Sequence, residues 1–216
     1  MKKLVLASAL MMAFGMNAYA SDSVDLKVTG TLTLTACNPT FENGGVIDLG
    51  HIPIGNMTTT DNDKAYEAIS VQHKKMDLTI TCTADTAVGF TITDNNEGTI
   101  PASLVTDYSG AYGFGKTADD KAIGLYQLYE NAETIDGAAA NLIYSGNDGQ
   151  NWSKARALNH INTLYSFANQ DELTPKSGKT FILKMDTTYY FEKSVADSVT
   201  DELDFQGSTT FSLVYL

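Results

Sequence analysis

The chain has 216 residues, with 26 acidic against 14 basic side chains and a formal net charge of −12 at pH 7. A surface so short of Lys and Arg repels phosphate backbones and anionic headgroups, which excludes nucleic acid and a charged membrane surface as partners. A chain of this length can bury one good core, and no linker, repeat or low-complexity block divides it.

In chain order, the first twenty residues run from Lys2 and Lys3 through an uncharged apolar stretch to Ala18-Tyr19-Ala20. That is a secretory signal with a small-residue cleavage site. The apolar run is too short, and followed too soon by polar residues, for a bilayer span of about 20 apolar residues. A retained anchor is the alternative, but it leaves Ala18 and Ala20 without a role. Residues 1–20 are therefore read as a signal peptide, and the mature chain as starting at Ser21 beyond the inner membrane with no membrane span. Losing Lys2 and Lys3 takes the charge from −12 to −14.

From Ser21 to Ala36 apolar residues hold the even positions, Val24, Leu26, Val28, Leu32 and Leu34, with Asp25, Lys27 and four threonines between them. This period of two predicts an extended strand with one apolar face. Further predicted strands are Val46–Ile54, Met76–Thr83, Val88–Thr93, Ile123–Tyr129, Asn141–Tyr144, Phe181–Phe191 and Thr209–Leu216. Breakers fall between them at Asn43-Gly44-Gly45, Asp94–Gly98, Asp136-Gly137, Gly146–Gly149 and Lys176–Gly178. Many short threonine- and tyrosine-rich strands with such turns predict a β-sandwich. Ala132–Gln170 is the least strand-like stretch and reads as an insertion, with short helical turns at Ala138–Ala140 and Trp152–Ala157.

Cys37 and Cys82 are the only cysteines. In an exported chain thiols are oxidised, so the pair predicts one disulfide; two free buried thiols are the alternative. Their spacing fits neither CxxC redox chemistry nor a zinc site. Closing such a loop stabilises by roughly 4 kcal/mol in the chain-entropy model.

No catalytic constellation can be assembled, and the chain is read as not an enzyme, with no cofactor and no tightly bound metal. His51, His73 and His160 are scattered without ligand spacing, and no nucleophile elbow or phosphate loop is present. Asp61, Asp63, Asp119 and Asp120 read as solvated loops, with a weak calcium site as the alternative. One short motif carries a mechanism: Ser145, Asn147, Gly149 and Trp152 match the SxDxGxxW Asp-box with Asn in the aspartate position. It predicts a hairpin turn stapled by side-chain bonds to backbone amides, with sugar recognition as the second reading. A sialidase-like hydrolase is excluded because the motif occurs once and no basic cluster could hold a carboxylated sugar. Tyr108–Gly115 could stack on sugar rings, but tyrosine is also a favoured strand residue, so a host glycan has no firm support.

The segment LKVTGTLTLTAC, Leu26 to Cys37, resembles the N-terminal extension and first strand of chaperone-usher pilins, with Gly30 seven residues before the cysteine. Leu49-Gly50 and Cys82 follow in the family's order, and the chain closes with Phe211, Leu213 and the penultimate Tyr215 in alternation. VDLKVTG and FSLVYL look closer still to exported fimbrial-like proteins whose domain is of unknown function. The resemblance implies an immunoglobulin-like, pilin-type β-sandwich over residues 35–216, preceded by a donor arm at 21–34. It implies a fimbrial subunit in cell adhesion, assembled by donor-strand exchange, with a periplasmic pilus chaperone, an outer-membrane usher and neighbouring subunits as partners. Val24, Leu26, Val28, Gly30 and Leu32 would be donated, and Phe211, Leu213 and Tyr215 would form the chaperone-pairing strand. It also implies residence in the periplasm and then at the cell surface. A monomeric exported carbohydrate-binding or adhesin-like protein is the other reading, in which Val24–Leu34 is simply the domain's own first strand.

Overall fold

A computed structural model describes residues 26–30, 36–60, 62–108 and 110–216. The expected signal peptide and the arm residues Val24 and Leu32 lie outside the described residues. Contacts divide the chain into two units, Met1–Thr33 and Leu34–Leu216. In the first, residues 26–30 form neither helix nor ladder, and Leu26 and Val28 are exposed.

The second unit is all β. Its strands are β1 (Cys37–Phe41), β2 (Thr58–Thr59), β3 (Ala65–Glu67), β4 (Lys75–Asp94), β5 (Tyr112–Gly113), β6 (Gly124–Ile135), β7 (Ala138–Ser145), β8 (Ser153–Lys154), β9 (Ala157–Leu158), β10 (Leu164–Asn169), β11 (Ser177–Glu192) and β12 (Thr209–Tyr215). One four-residue helix, α1 (Lys193–Ala196), follows β11. Alternation accounts for the long strands. Along β11 the residues Phe181, Leu183, Met185, Thr187, Tyr189 and Phe191 are buried, and their neighbours face outward or toward a smaller cluster. Along β4 the same holds for Met76, Leu78, Ile80 and Cys82, and again for Val88, Phe90 and Ile92.

The two strands expected at Met76–Thr83 and Val88–Thr93 are one strand of 20 residues, because Thr83–Ala87 contains no proline or glycine to end it. It bends instead. Phe41 lies opposite Leu78 and Phe211 opposite Ile92, positions about 46 Å apart on a straight strand, yet the two rings are 5.1 Å apart.

Antiparallel pairing runs from β4 to β10, β7, β6, β11 and back to β4. Five strands therefore close a barrel, where the sequence reading expected two sheets. Full closure removes the edges of these five strands and satisfies their backbone groups. Phe90 stacks on Tyr165 at 5.3 Å, and Phe167 packs on Phe181 at 5.1 Å, all four rings fully buried. Cys37 and Cys82 sit directly opposite one another on β1 and β4 and are disulfide-bonded.

Three expectations are corrected. Ala132–Gln170 is not an insertion: it holds the end of β6, all of β7 and β10, and the short strands β8 and β9, so it supplies much of the barrel wall. Its helical turns are absent as well; Ala138–Ala140 opens β7 straight after the Asp136-Gly137 turn, where both residues have positive φ. The expected strand Asn141–Tyr144 forms the middle of β7, whereas β10 buries Tyr165, Ser166, Phe167 and Ala168 in succession, which erases the alternation. Third, Val46–Pro53 runs without any ladder, and Ile54–Asn56 is a 3₁₀ turn.

Candidate functional site

Among the described residues, β1 pairs only with the first half of β4 and β12 only with the second half. Two segments continue from these strands along the surface. The first runs from β1 through residues 46–57, where Ile47, Leu49, Ile52 and Met57 are half-buried against the core. The second leads into β12, where Leu203, Phe205, Phe211 and Leu213 do the same. They run in opposite directions. The Tyr215 hydroxyl accepts a hydrogen bond from the Cys37 N–H at 2.9 Å, Phe41 meets Phe211, and His51 Nδ1 lies 3.7 Å from Glu202 Oε1.

No backbone hydrogen bond joins the two segments among the described residues. Between them is a cleft of about 1220 Å³. Its floor is aromatic and apolar. Phe114 stacks on Tyr126 and Phe191, each at 5.3 Å, and takes the edge of Phe205 at 4.8 Å. Met76, Leu128, Met185 and Tyr189 complete it. Burial raises both the Tyr126 and the Tyr189 phenol above the ordinary range. Gly207 crosses directly over the Tyr126 ring: a Cβ there would stand 2.3 Å from Cε1. The mouth is acidic. Asp48, Asp201, Glu202 and Asp204 are exposed, and Asp48 Oδ1 accepts the Gly50 N–H at 2.8 Å to hold a turn at positive φ.

Of the residues singled out in sequence, the structure brings Cys37, Phe211, Leu213 and Tyr215 to the walls of this cleft or to its end. Leu26, Val28 and Gly30 belong to the other unit, and Gly30 has no neighbour within 4 Å of where a Cβ would be. The floor was missed, as was the wall at Leu203–Gly207. A signal for that wall existed: the alternation of Phe211 and Leu213 continues upstream through Thr209, Gly207, Phe205 and Leu203.

The Asp-box-like turn is separate from the cleft. Ser145 Oγ accepts the Gly149 N–H at 2.9 Å, and Asn147 Oδ1 accepts the Asn151 N–H at 3.0 Å. Gly149 has φ +83° and lies against the half-buried Trp152 ring. The bonds are spent inside the turn.

The most perturbed carboxyl is also elsewhere. A bulge opposite Lys184 and Met185 makes Asn131 the extra residue of β6, so the inward face changes from Tyr126 and Leu128 to Glu133 and Ile135. Glu133 is thereby buried, with Oε1 lacking a hydrogen-bond partner. Burial first, then the charge of Glu130, pushes it up to about 7; the Leu142 amide and Lys154 act the other way. Among the described residues no group of three or more His, Cys, Asp or Glu is placed to hold a metal ion.

A family profile described as "Protein of unknown function (DUF1120)" matches residues 26–110. Two relatives come from Escherichia coli (strain K12). "Uncharacterized protein YhcF" is 24% identical over 245 residues, covering 100% of this chain and 98% of its own. "Protein GltF" is 26% identical over 237 residues, covering 93% of this chain and 92% of its own. The match to a domain of unknown function agrees with that part of the expected kinship. It spans β1, the whole of the first cleft wall and the whole of β4.

Proposed function

We propose that the cleft accepts an extended strand from another polypeptide, and that this chain is a fimbrial subunit assembled by donor-strand exchange through a periplasmic chaperone and an outer-membrane usher. The observation that carries the reading is the pair of oppositely directed segments, each with an apolar row facing the floor and, among the described residues, not joined backbone to backbone. A single added strand would hydrogen-bond to both edges and set alternate side chains on the aromatic floor, which is β-augmentation. The dimensions favour a strand over a small molecule, since pockets for the latter are usually about 300–1,000 Å³ and closed around the ligand. Each backbone bond made would contribute roughly 1 kcal/mol net, so a strand spanning the lane gains more from pairing than from any one side chain.

The strand order supports a pilin-type immunoglobulin-like arrangement. β1–β4–β11–β6 would form one layer and β12–β4–β10–β7 the other, with the bent β4 serving both. The missing member would lie beside β12, which is where the cleft is. Residues 21–34, with Val24, Leu26, Val28, Gly30 and Leu32 in line, would be the strand this subunit offers to the next.

The test is purification of the full chain from periplasm with and without its candidate chaperone, followed by size analysis. A stable complex with chaperone, and aggregation or degradation without it, is expected. Deleting residues 21–29 should leave chaperone capture intact and abolish donation to another subunit. A monomer that is stable alone, and that unfolds on the deletion, overturns the reading.

A further inference from the structure

We infer that the strand received by the cleft carries Lys or Arg at its outward positions and comes from a different polypeptide rather than from a second copy of this chain; this rests on the strand-accepting reading above. The walls show why. Asp48 on the first segment and Asp201, Glu202 and Asp204 on the second are all exposed at the mouth, and no Lys or Arg lines the cleft among the described residues. The one basic side chain at the cleft among the described residues is His51, which already faces Glu202. Successive side chains of a strand point to opposite faces, so an accepted strand that sets its apolar row on the floor must raise the alternate row among these carboxylates.

The arm of an identical copy is poorly suited to that position. Its outward row, the odd positions from Ser21 to Thr35, contains Asp25 and Lys27 among serines and threonines, while Asp22 falls on the row that would meet the apolar floor. One acid against one base leaves the side chains of that row neutral, and Asp22 offsets the α-amino group that cleavage before Ser21 would expose. Exposed ion pairs are individually weak. Three or four acting together with one sign nonetheless separate a basic strand from an acidic one, and like charges brought together at an interface suppress the wrong partner. The apolar floor thus sets affinity for any alternating strand, and the rim selects among them.

The test uses the full chain and synthetic peptides as long as residues 21–35 that share one apolar row. One has lysine at the outward positions, one has glutamate, and one is the chain's own 21–35 sequence; binding is followed by fluorescence anisotropy at low and high ionic strength. The lysine peptide should bind about tenfold tighter than the glutamate peptide at low salt, and tighter than the chain's own segment, with the gap closing as salt screens the rim. The combined variant Asp48→Asn, Glu202→Gln, Asp204→Asn, checked for an unchanged circular dichroism spectrum, should remove the preference. Equal affinities at low salt, tightest binding by the chain's own sequence, or a lysine preference that survives the rim variant would overturn the inference while leaving the cleft reading in place. Failure of every peptide to bind, or equal binding when the apolar row is replaced by serine, would overturn both.

Discussion

The long barrel strands β4 and β11 and the cleft wall from Leu203 to Leu213 are written in the same alternating pattern, yet they end in different physical states. In the barrel every strand has a partner on each side, and the inward rings of Phe90, Tyr165, Phe167 and Phe181 are fully buried. In the cleft the corresponding row, Leu203, Phe205, Phe211 and Leu213, is only half-buried, and among the described residues no backbone–backbone bond joins the two walls. Alternation creates an apolar face, but it does not supply a neighbour. Where the chain runs out of strands of its own, the same pattern that makes a core makes an acceptor.

The largest expected effect breaks that comparison directly. Phe181→Ala should cost about 3–5 kcal/mol in urea unfolding, because the cavity left under Phe167 cannot collapse. Phe205→Ala should cost about 1 kcal/mol, since its ring is half-buried, while weakening strand binding about tenfold. Equal losses from the two would mean that the cleft wall belongs to the core.

Replacing Cys37 and Cys82 together with serine should lower stability by roughly 3 kcal/mol, within the range for a native disulfide. The bond ties β1, one wall of the cleft, to β4, its only ladder partner among the described residues. Strand binding should therefore fall in step with the melting temperature, a coupling that no substitution on the far side of the barrel would show.

The pH dependence sharpens the barrel side. Glu133 is raised from 4.5 in the unfolded chain to about 7 in the folded one, so the folded state keeps its proton over that window while the unfolded state loses it. Stability should then fall by about 3 kcal/mol as pH rises from 4.5 to 7 and stay level above. Glu133→Gln should flatten this part of the profile, measured by urea unfolding at a series of pH values; an unchanged slope would show that the carboxylate is already solvated.

Gly207→Ala should cost about 1–2 kcal/mol and reduce strand binding, because the added methyl pushes the wall off Tyr126. The smallest effect belongs to the stapled turn. Asn147→Ala should cost about 1 kcal/mol by orphaning the Asn151 amide, and it should shift Trp152 fluorescence without altering the cleft.

Much of the strand set was legible because Met76–Thr83, Val88–Thr93, Phe181–Phe191 and Thr209–Leu216 each bury one face only. β10 was not, and β7 only at Asn141–Tyr144, since strands buried on both faces look like any apolar run. The upstream half of the second cleft wall was hidden by Asp201, Glu202 and Asp204, whose outward charges read as loop although the alternate residues pack inward. The floor could not be read at all: Met76, Phe114, Tyr126 and Met185 come from four separate strands or their flanks, and no local pattern links them.

By itself, the sequence determined that the chain is all β, that Cys37 and Cys82 are joined, and that Phe211, Leu213 and Tyr215 form an alternating closing strand, because each follows from periodicity or from a count of two. Only the tertiary structure decided that β4 bends through the fold, that five strands close on themselves, and that β1 and β12 stand apart across an apolar floor. These depend on which edges meet in space, and hydrogen-bond partners far apart in sequence leave no periodic trace in it.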